Sequence, residues 1–433
     1  MTPVDFREVG VDWIGQVPKS WGCSKIKRHC FVKRGASPRP IDDPTYFDEN
    51  GEYSWVRISD VTASDRYLTA TEQRLSELGS TFSVKREPGD IFVSICASVG
   101  KPIITKIKCC IHDGFVWFDR LKLDSDFLFY LFTSGEMFKG LGNWGTQLNL
   151  NTDIIGEIEI PVPSLTEQQR IAAYLDSATG KIDRLMSLRR RQMELLREQR
   201  AALIQQAVTR GLNPRAPLKD SGLPWLGQIP KHWVMTRLKH LCSHIVDCLH
   251  MTPNYDPNGE YPAIRTADIT PGKIDVEGAK RLTRGDYLIQ VQRLTPLAGD
   301  IVYSREGERF GIAACVPPDT ELCVSQRMMH FRVRKGVHSE FVMWQLNTQP
   351  VYAQALVYVF GSTSPHINVE TIKNYVMFEP PFDEQCEIVD TIQRETAKLD
   401  GLHRSYQRQL ELLAEYRASL IHESVTGQRP VPN

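Results

Sequence analysis

The chain has 433 residues, 41% hydrophobic and 24% charged, with 52 basic side chains balancing 52 acidic ones. That composition excludes a disordered polymer, a collagen-like fibre and a small disulfide scaffold, and the length suffices for two or three cored domains. Zero net charge removes the simplest argument for nucleic-acid binding, bulk basicity, so such an argument must rest on local clustering.

The first residues, MTPVDFREVGVDW, carry acids and no apolar core of the kind a signal peptide needs. The longest nearly uninterrupted apolar stretch, Phe127 to Phe132, is far shorter than the roughly twenty residues of a membrane helix. Ten cysteines without a C-x-x-C pair fit free thiols in a reducing compartment. A cytoplasmic protein with no membrane partner is expected.

In chain order, residues 1–163 open with WIGQVPKSW (Trp13 to Trp21) and mix strand-like runs such as IFVSI from Ile91 with Gly, Pro, Asn and Asp punctuation, which predicts an α/β globule. A proline stop, PVPSLTEQQ from Pro161, precedes a long helix over 164–212, with Thr166 as its expected cap. Leu175, Ile182, Leu196 and Leu203 recur there on a seven-residue period that only Arg189 interrupts. The pattern then repeats. WLGQIPKHW (Trp225 to Trp233) shares six of nine residues with the first motif at a spacing of 212, and a second globule over 213–381 follows, with runs IVYS from Ile301 and MMHFRV from Met328. EPPFDEQ from Glu379 opens a second long helix over 382–427, with Asp383 as its expected cap and Ile392, Leu399, Tyr406, Leu413 and Leu420 as its stripe. The helix ends match too, EQRAALIQQAVT from Glu198 against EYRASLIHESVT from Glu415, seven of twelve identical at a spacing of 217.

A sustained seven-residue stripe is a coiled-coil seam. From Thr166 to Arg210 nine basic and five acidic residues give +4, whereas from Asp383 to Gly427 five basic and nine acidic give −4. Opposite charge favours pairing of the two helices with each other over self-association of either. Gly180 and Gly401 weaken the helices, each by about 1 kcal/mol. The expected architecture is mixed α/β (α+β): two globules separated by two long antiparallel helices and related by a pseudo-twofold internal repeat, a dumbbell.

The order of globule and long helix, twice over, with WIGQVPKSW and WLGQIPKHW opening each half and P-x-P-x-x-x-EQ (from Pro161) or E-P-P-x-x-EQ (from Glu379) opening each helix, resembles the specificity subunit of type I restriction-modification enzymes, over nearly the whole chain. The resemblance implies two target-recognition domains that each read one half of a split, asymmetric double-stranded DNA site, and helices that act as spacer and docking surface. It implies two methyltransferase subunits and restriction/translocase subunits as partners. The chain itself would be non-catalytic and hold no cofactor, with S-adenosylmethionine, ATP and Mg belonging to partner subunits.

Base readout needs Arg, Lys, Asn, Gln and Ser on loops that reach groove edges, and phosphate contact needs cations, small hydroxyls and backbone amides. One matched pair of loops offers Gly145, Thr146, Gln147, Asn149 and Asn151, or Gly361, Ser362, Thr363, His366 and Asn368. A second runs from Ser94 to Lys101 and from Ser304 through Arg305 and Arg309. Arg57 and Arg265 occupy matched positions, and His112 to Gly114 align approximately with Ser325 to Arg327. Each has a plain structural alternative: the loops as solvated turns, the arginines as partners of Asp60 and Asp268.

Other chemistry finds little footing. No Gly-x4-Gly-Lys-Ser/Thr phosphate loop and no Asn-Pro-Pro-aromatic tetrapeptide occurs, and Asp90 and Asp300 follow glycine as turn residues do. His240, Cys242, His244, Cys248 and His250 would share one face of an unbroken strand, but their spacing matches no structural zinc pattern, so no metal is expected. The competing class is a duplicated coiled-coil scaffold that binds proteins and no DNA. The helix-as-spacer reading makes a direct prediction: shortening the long helices changes the distance between the two half-sites and leaves each half-site sequence unchanged, as sequencing of the modified DNA would show.

Overall fold

The computed structural model describes residues 5–139, 150–223, 226–357 and 367–432. The chain divides into two compact units whose bounds cross the sequence halves: Met1–Arg189 with Gln407–Asn433, and Arg190–Tyr406.

In the first unit a five-stranded sheet runs in the order Phe31–Arg34, Phe115–Asp119, Ile91–Ser94, Pro102–Thr105, Tyr67–Leu68. A four-stranded sheet runs Gln73–Leu75, Tyr53–Val56, Cys109–Ile111, Val84–Arg86. Val56, Phe92, Ile103, Ile111 and Phe115 are buried together from both sheets, which explains the apolar run at Ile91 as a strand covered on both faces. The second unit repeats the plan. One sheet runs Cys242–Asp247, Met328–Val333, Ile301–Ser304, Ala313–Cys315, the other Lys280–Leu282, Tyr261–Ile264, Cys323–Val324. Ile264, Val302, Val324 and Met328 fill the corresponding core.

The long helices are Leu165–Arg210 and Phe382–Val425. Neither starts at the expected cap. Ser164 accepts from the Glu167 amide (3.3 Å) and Pro381 from the Gln385 amide (3.1 Å), while Thr166 and Asp383 lie inside the first turn. The glutamine of each EQ pair has a structural task. Gln168 donates to the Pro163 carbonyl (3.0 Å) and accepts from the Asp124 amide (2.9 Å); Gln385 does the same with Pro380 (2.8 Å) and His338 (2.8 Å). Both are buried, so each pins the helix start to its globule.

Within each unit the two helices run antiparallel. In the first, Leu175 and Ile182 share a core with Leu420, Ile421 and Val425, and Arg417 donates to Asp183 at 2.8 and 3.3 Å. In the second, Ile204, Ala207 and Val208 share a core with Ile388, Val389 and Ile392, and Arg200 pairs with Asp400 at 3.3 Å. The two ion pairs are repeat-equivalent, since both partners shift by 217. Leu196, Leu203, Leu399, Tyr406 and Leu413 are half-buried. A second row completes the seam: Ala172, Thr179, Met193 and Ala207 are buried and Met186 and Arg200 half-buried on the first helix, with Val389, Thr396 and Ser424 on the other.

The Trp-to-Trp motifs meet the helix ends. Gly427, at φ +75°, ends the second helix against Pro18 and Trp21; Gly211, at φ +72°, ends the first against Trp233. A Cβ at Gly427 would stand 2.5 Å from Pro18 Cδ, and one at Gly211 3.2 Å from the movable Glu384 carboxylate and 3.3 Å from the Trp233 ring. Gly427→Ala should therefore cost about 2 kcal/mol or more, from the left-handed backbone and the clash together. Gly211→Ala should cost only about 1 kcal/mol, from its backbone conformation alone; melting temperatures of the two variants check the order.

The strand from Cys242 contains a bulge between Cys242 and His244, and His240 sits in the preceding turn Leu238–Leu241. The alternation that would put the five even-numbered residues on one face is therefore broken. Asp90 and Asp300 do serve their turns, accepting from the Glu87 (3.0 Å) and Leu297 (2.8 Å) amides. Asp300 does more: buried at 5% exposure, it binds His330 at 2.7 Å and Arg332 at 3.0 and 2.7 Å. Burial opposes its ionisation, but those bonds outweigh it and hold the carboxyl at about 2, below the ordinary 3.8. A depressed carboxylate contributes stability that is fully present above its unfolded value and is lost as pH falls through the folded one. Asp300→Asn should cost on the order of 3 kcal/mol near neutrality, and its deficit should shrink between about pH 4 and pH 2; urea midpoints across that range test it.

Candidate nucleic-acid interface

In the first unit four loops gather beyond the strand ends. The Gly35 amide donates to Phe115 O (2.9 Å), that of Ala36 to Ile111 O (3.1 Å) and that of Ile95 to Gly114 O (2.9 Å), while the Thr62 and Ser98 hydroxyls lie 2.8 Å apart. A Cβ on Gly35 or Gly114 would strike the 111–112 backbone or the His112 ring, so both glycines are demanded by this close approach. Arg34, Arg39 and Arg57 are exposed around the cluster. Arg39 pairs with Asp113 (3.1 Å), Arg34 donates to the Asp113 carbonyl, and the Ser37 hydroxyl donates to Asp113 (3.0 Å). Burial opposes ionisation of Asp113, yet Ser37, Arg39 and Arg34 hold it below the usual carboxylate range. Burial also pushes His112 down against the pull of Asp113, and Arg34 and Arg57 add to the lowering. The neighbourhood is cationic.

The second unit builds the same frame from different side chains. The Arg305 amide donates to Arg327 O (3.0 Å), that of Ser325 to Ile264 O (2.9 Å) and that of Ile367 to Arg305 O (3.3 Å), and Gln326 donates to the Thr252 hydroxyl (3.0 Å). Arg305 is 8% exposed, held among Asp247 (3.6 Å), His250 (3.4 Å) and Glu306. Among the described residues, Ser304 Oγ, Ser325 Oγ, Asp247 Oδ1 and Arg305 Nε are buried without a hydrogen-bond partner. Asp247 Oδ1 and Arg305 Nε face each other as an ion pair at 3.6 Å, which leaves the two serine hydroxyls as the unmet groups.

The sequence candidates fall into distinct roles. Arg57 is exposed, its amide bonds Asp60 (2.7 Å), and its guanidinium has no ion pair among the described residues. Its counterpart Arg265 is gripped by Asp268 at 2.8 and 2.7 Å. Ser94 is buried and donates to the Ser98 carbonyl. Lys101 donates to the Thr62 (3.1 Å) and Ser64 (2.7 Å) carbonyls and so closes the helix Ile58–Ala63; burial lowers its pKa. Arg309 donates to Ile269 O (2.6 Å), Ser304 is fully buried, and Arg327 is exposed at φ +70°. Asn151 and Asn368 are matched helix N-caps, accepting from the Ile154 (2.8 Å) and Glu370 (2.9 Å) amides. Gly145, Thr146, Gln147, Asn149, Gly361, Ser362, Thr363 and His366 lie outside the described residues. Sequence alone does not single out Arg34, Ser37 and Arg39, or Asp247, Thr252 and Gln326. The available signal is that KRGASPRP and DCLHMTPN both follow the first edge strand of their sheets, with too little mutual likeness to align.

Among the described residues no group of His, Cys, Asp and Glu could hold a metal ion, and no helix is long and apolar enough to cross a membrane. The ten cysteines are free.

A family model described as the type I restriction modification DNA specificity domain matches residues 18–192 and 230–412. The chain is 24% identical over 443 residues to the type I restriction enzyme MjaIX specificity subunit of Methanocaldococcus jannaschii, covering 98% of this chain and 96% of that one. It is 22% identical over 317 residues to the MjaVIII specificity subunit of the same organism, covering 72% of each. Among solved structures, its fold resembles a chain of a type I R-M system at TM-score 0.73 and 16% identity, covering 95% of this chain and 99% of that chain. It also resembles the HsdS subunit from Thermoanaerobacter tengcongensis at TM-score 0.52 and 17% identity, covering 95% and 98%. With both repeats matched over most of their length, the chain belongs to the type I restriction modification DNA specificity family.

Proposed function

We propose that each loop cluster reads one half of a bipartite, asymmetric double-stranded DNA site, that the two helices set the gap between the halves and dock two methyltransferase subunits, and that restriction subunits join this assembly in the cytoplasm. The chain performs no chemistry of its own; S-adenosylmethionine, ATP and Mg are held by the partners. The observation that carries this reading is the loop frame repeated in both units with unlike side chains: Arg34, Arg39 and Arg57 against Thr252, Gln326 and Arg327. A duplicated frame with divergent contacts suits two different short sequences, because the frame positions a loop and the side chains choose the bases. The neutral net charge is no obstacle, since Arg34, Arg39 and Arg57 are exposed together beside the first loop cluster.

The test is selection of bound duplexes from a randomised pool by the chain assembled with its methyltransferase subunit. Two short unlike motifs at a fixed gap are expected; a single contiguous motif, or none, contradicts the proposal. At residue level, Arg57→Ala should weaken DNA binding about tenfold with little change in melting temperature. Arg265→Ala should instead lower the melting temperature, because it strands the buried Asp268 carboxylate.

A further inference from the structure

One cluster outside the loop interface joins a globule to its long helix. Arg66 lies between the helix Ile58–Ala63 and the strand Tyr67–Leu68, its carbonyl accepting from the Ile104 amide (3.0 Å). Its guanidinium, 15% exposed, bridges Asp126, on the globule helix Ser125–Ser134, and Asp176, on the long helix, with the Tyr130 hydroxyl at 3.4 Å. It also sits over the rings of Tyr67 (4.9 Å), Phe129 (5.1 Å) and Tyr130 (5.1 Å). Tyr130 closes the ring of contacts by donating to Asp176 at 2.6 Å. A planar fork between two carboxylates fixes direction as well as distance, which a single contact does not.

The same place in the second unit is built differently. Gly272, at φ +80°, occupies the position of Arg66, before the strand Lys273–Ile274, and a Cβ there would stand 2.6 Å from the Trp344 ring. Glu340, on Ser339–Leu346, stands for Asp126, and Gln393, 217 positions after Asp176, replaces the carboxylate with a carboxamide. There Gln393 donates to Glu340 at 2.7 Å, and Arg200 of the first long helix lies over the Trp344 ring at 5.6 Å. One carboxamide–carboxylate bond and a guanidinium over an indole stand where the first unit has a cation between two anions.

We propose that Arg66 is a positioning residue that locks the first globule to its spacer helix, and that this lock sets how strictly the protein discriminates spacer length. The inference rests on the bipartite-site reading above. Each base pair added between half-sites displaces the second by about 3.4 Å and rotates it by about a tenth of a turn. A loose joint at both ends absorbs such a change, whereas a stiff joint at one end refuses part of it.

The full chain, co-expressed with its methyltransferase subunit, is given plasmids carrying its split site with the native spacer or one lengthened or shortened by one base pair. The readout is the ratio of methylation at native to altered spacers. Arg66→Met alone leaves two carboxylates facing each other without a cation, so the double variant Arg66→Met/Asp176→Leu is measured beside it. Both should keep the two half-site sequences while the ratio falls by about tenfold, the size of an ordinary coupling between sites. Arg66→Lys, which keeps the charge without the fork, should restore part of it. An unchanged ratio in a folded variant overturns the proposal, and so does loss of one half-site sequence. A wild-type assembly that methylates no split site would instead defeat the bipartite-site reading.

Discussion

Each unit is completed by helical chain from the sequence half that does not supply its globule. The last helix ends at Gly427 under Trp21, and the first at Gly211 under Trp233, so a globule's opening motif is roofed by the helix end of the other repeat. A left-handed glycine lets each helix stop against the indole, and at Gly427 the requirement is also steric, since a Cβ there would strike Pro18 and Trp21. Cutting the chain between its sequence halves would expose both apolar surfaces at once, so duplication and closure are one design.

The antiparallel pairing follows from the same exchange. Asp183 with Arg417 and Asp400 with Arg200 are one ion pair written twice, and each uses the acid and the base of opposite helices. Exposed pairs of this kind contribute little stability, typically under about 1 kcal/mol. Their value is in register: a shift by one turn separates both, while the apolar rows tolerate it better. Firm joints at Gln168 and Gln385 carry that register into the globules, because each amide side chain satisfies one backbone group on either side of the joint.

Much of this was legible in the sequence, and the limits are physical. A repeat, two proline-stopped helices and a seven-residue stripe are local periodic signals, so the α/β class and the helix pair could be read directly. The second row of the seam is harder to see, because Ala172, Thr179, Met193 and Arg200 carry no common hydrophobic signature and qualify only through the register of the partner helix. The helix starts were legible to within a residue, but the caps were not: Ser164 accepts at the first helix, and Thr166 and Asp383, which looked suitable, lie within the first turns. At the interface, the matched pair Arg57 and Arg265 shows why residue type alone is insufficient: one guanidinium is exposed and the other is chelated three residues away. Asn151 and Asn368 teach the same lesson, since an asparagine suited to adenine is equally suited to an N-cap. The convergence of the loops near Arg34 and near Thr252 depends on sheet order, which no single-sequence pattern encodes.

The central claim is that two unlike readers on one frame recognise one split, asymmetric sequence. Mapping methylated adenines across the host genome after co-expression with the methyltransferase subunit tests it most directly. The account predicts modification at a single bipartite sequence, with two different half-sites and one constant spacer. Modification confined to a contiguous or palindromic sequence, or no modification by a soluble, assembled complex that also fails to bind DNA, would contradict it.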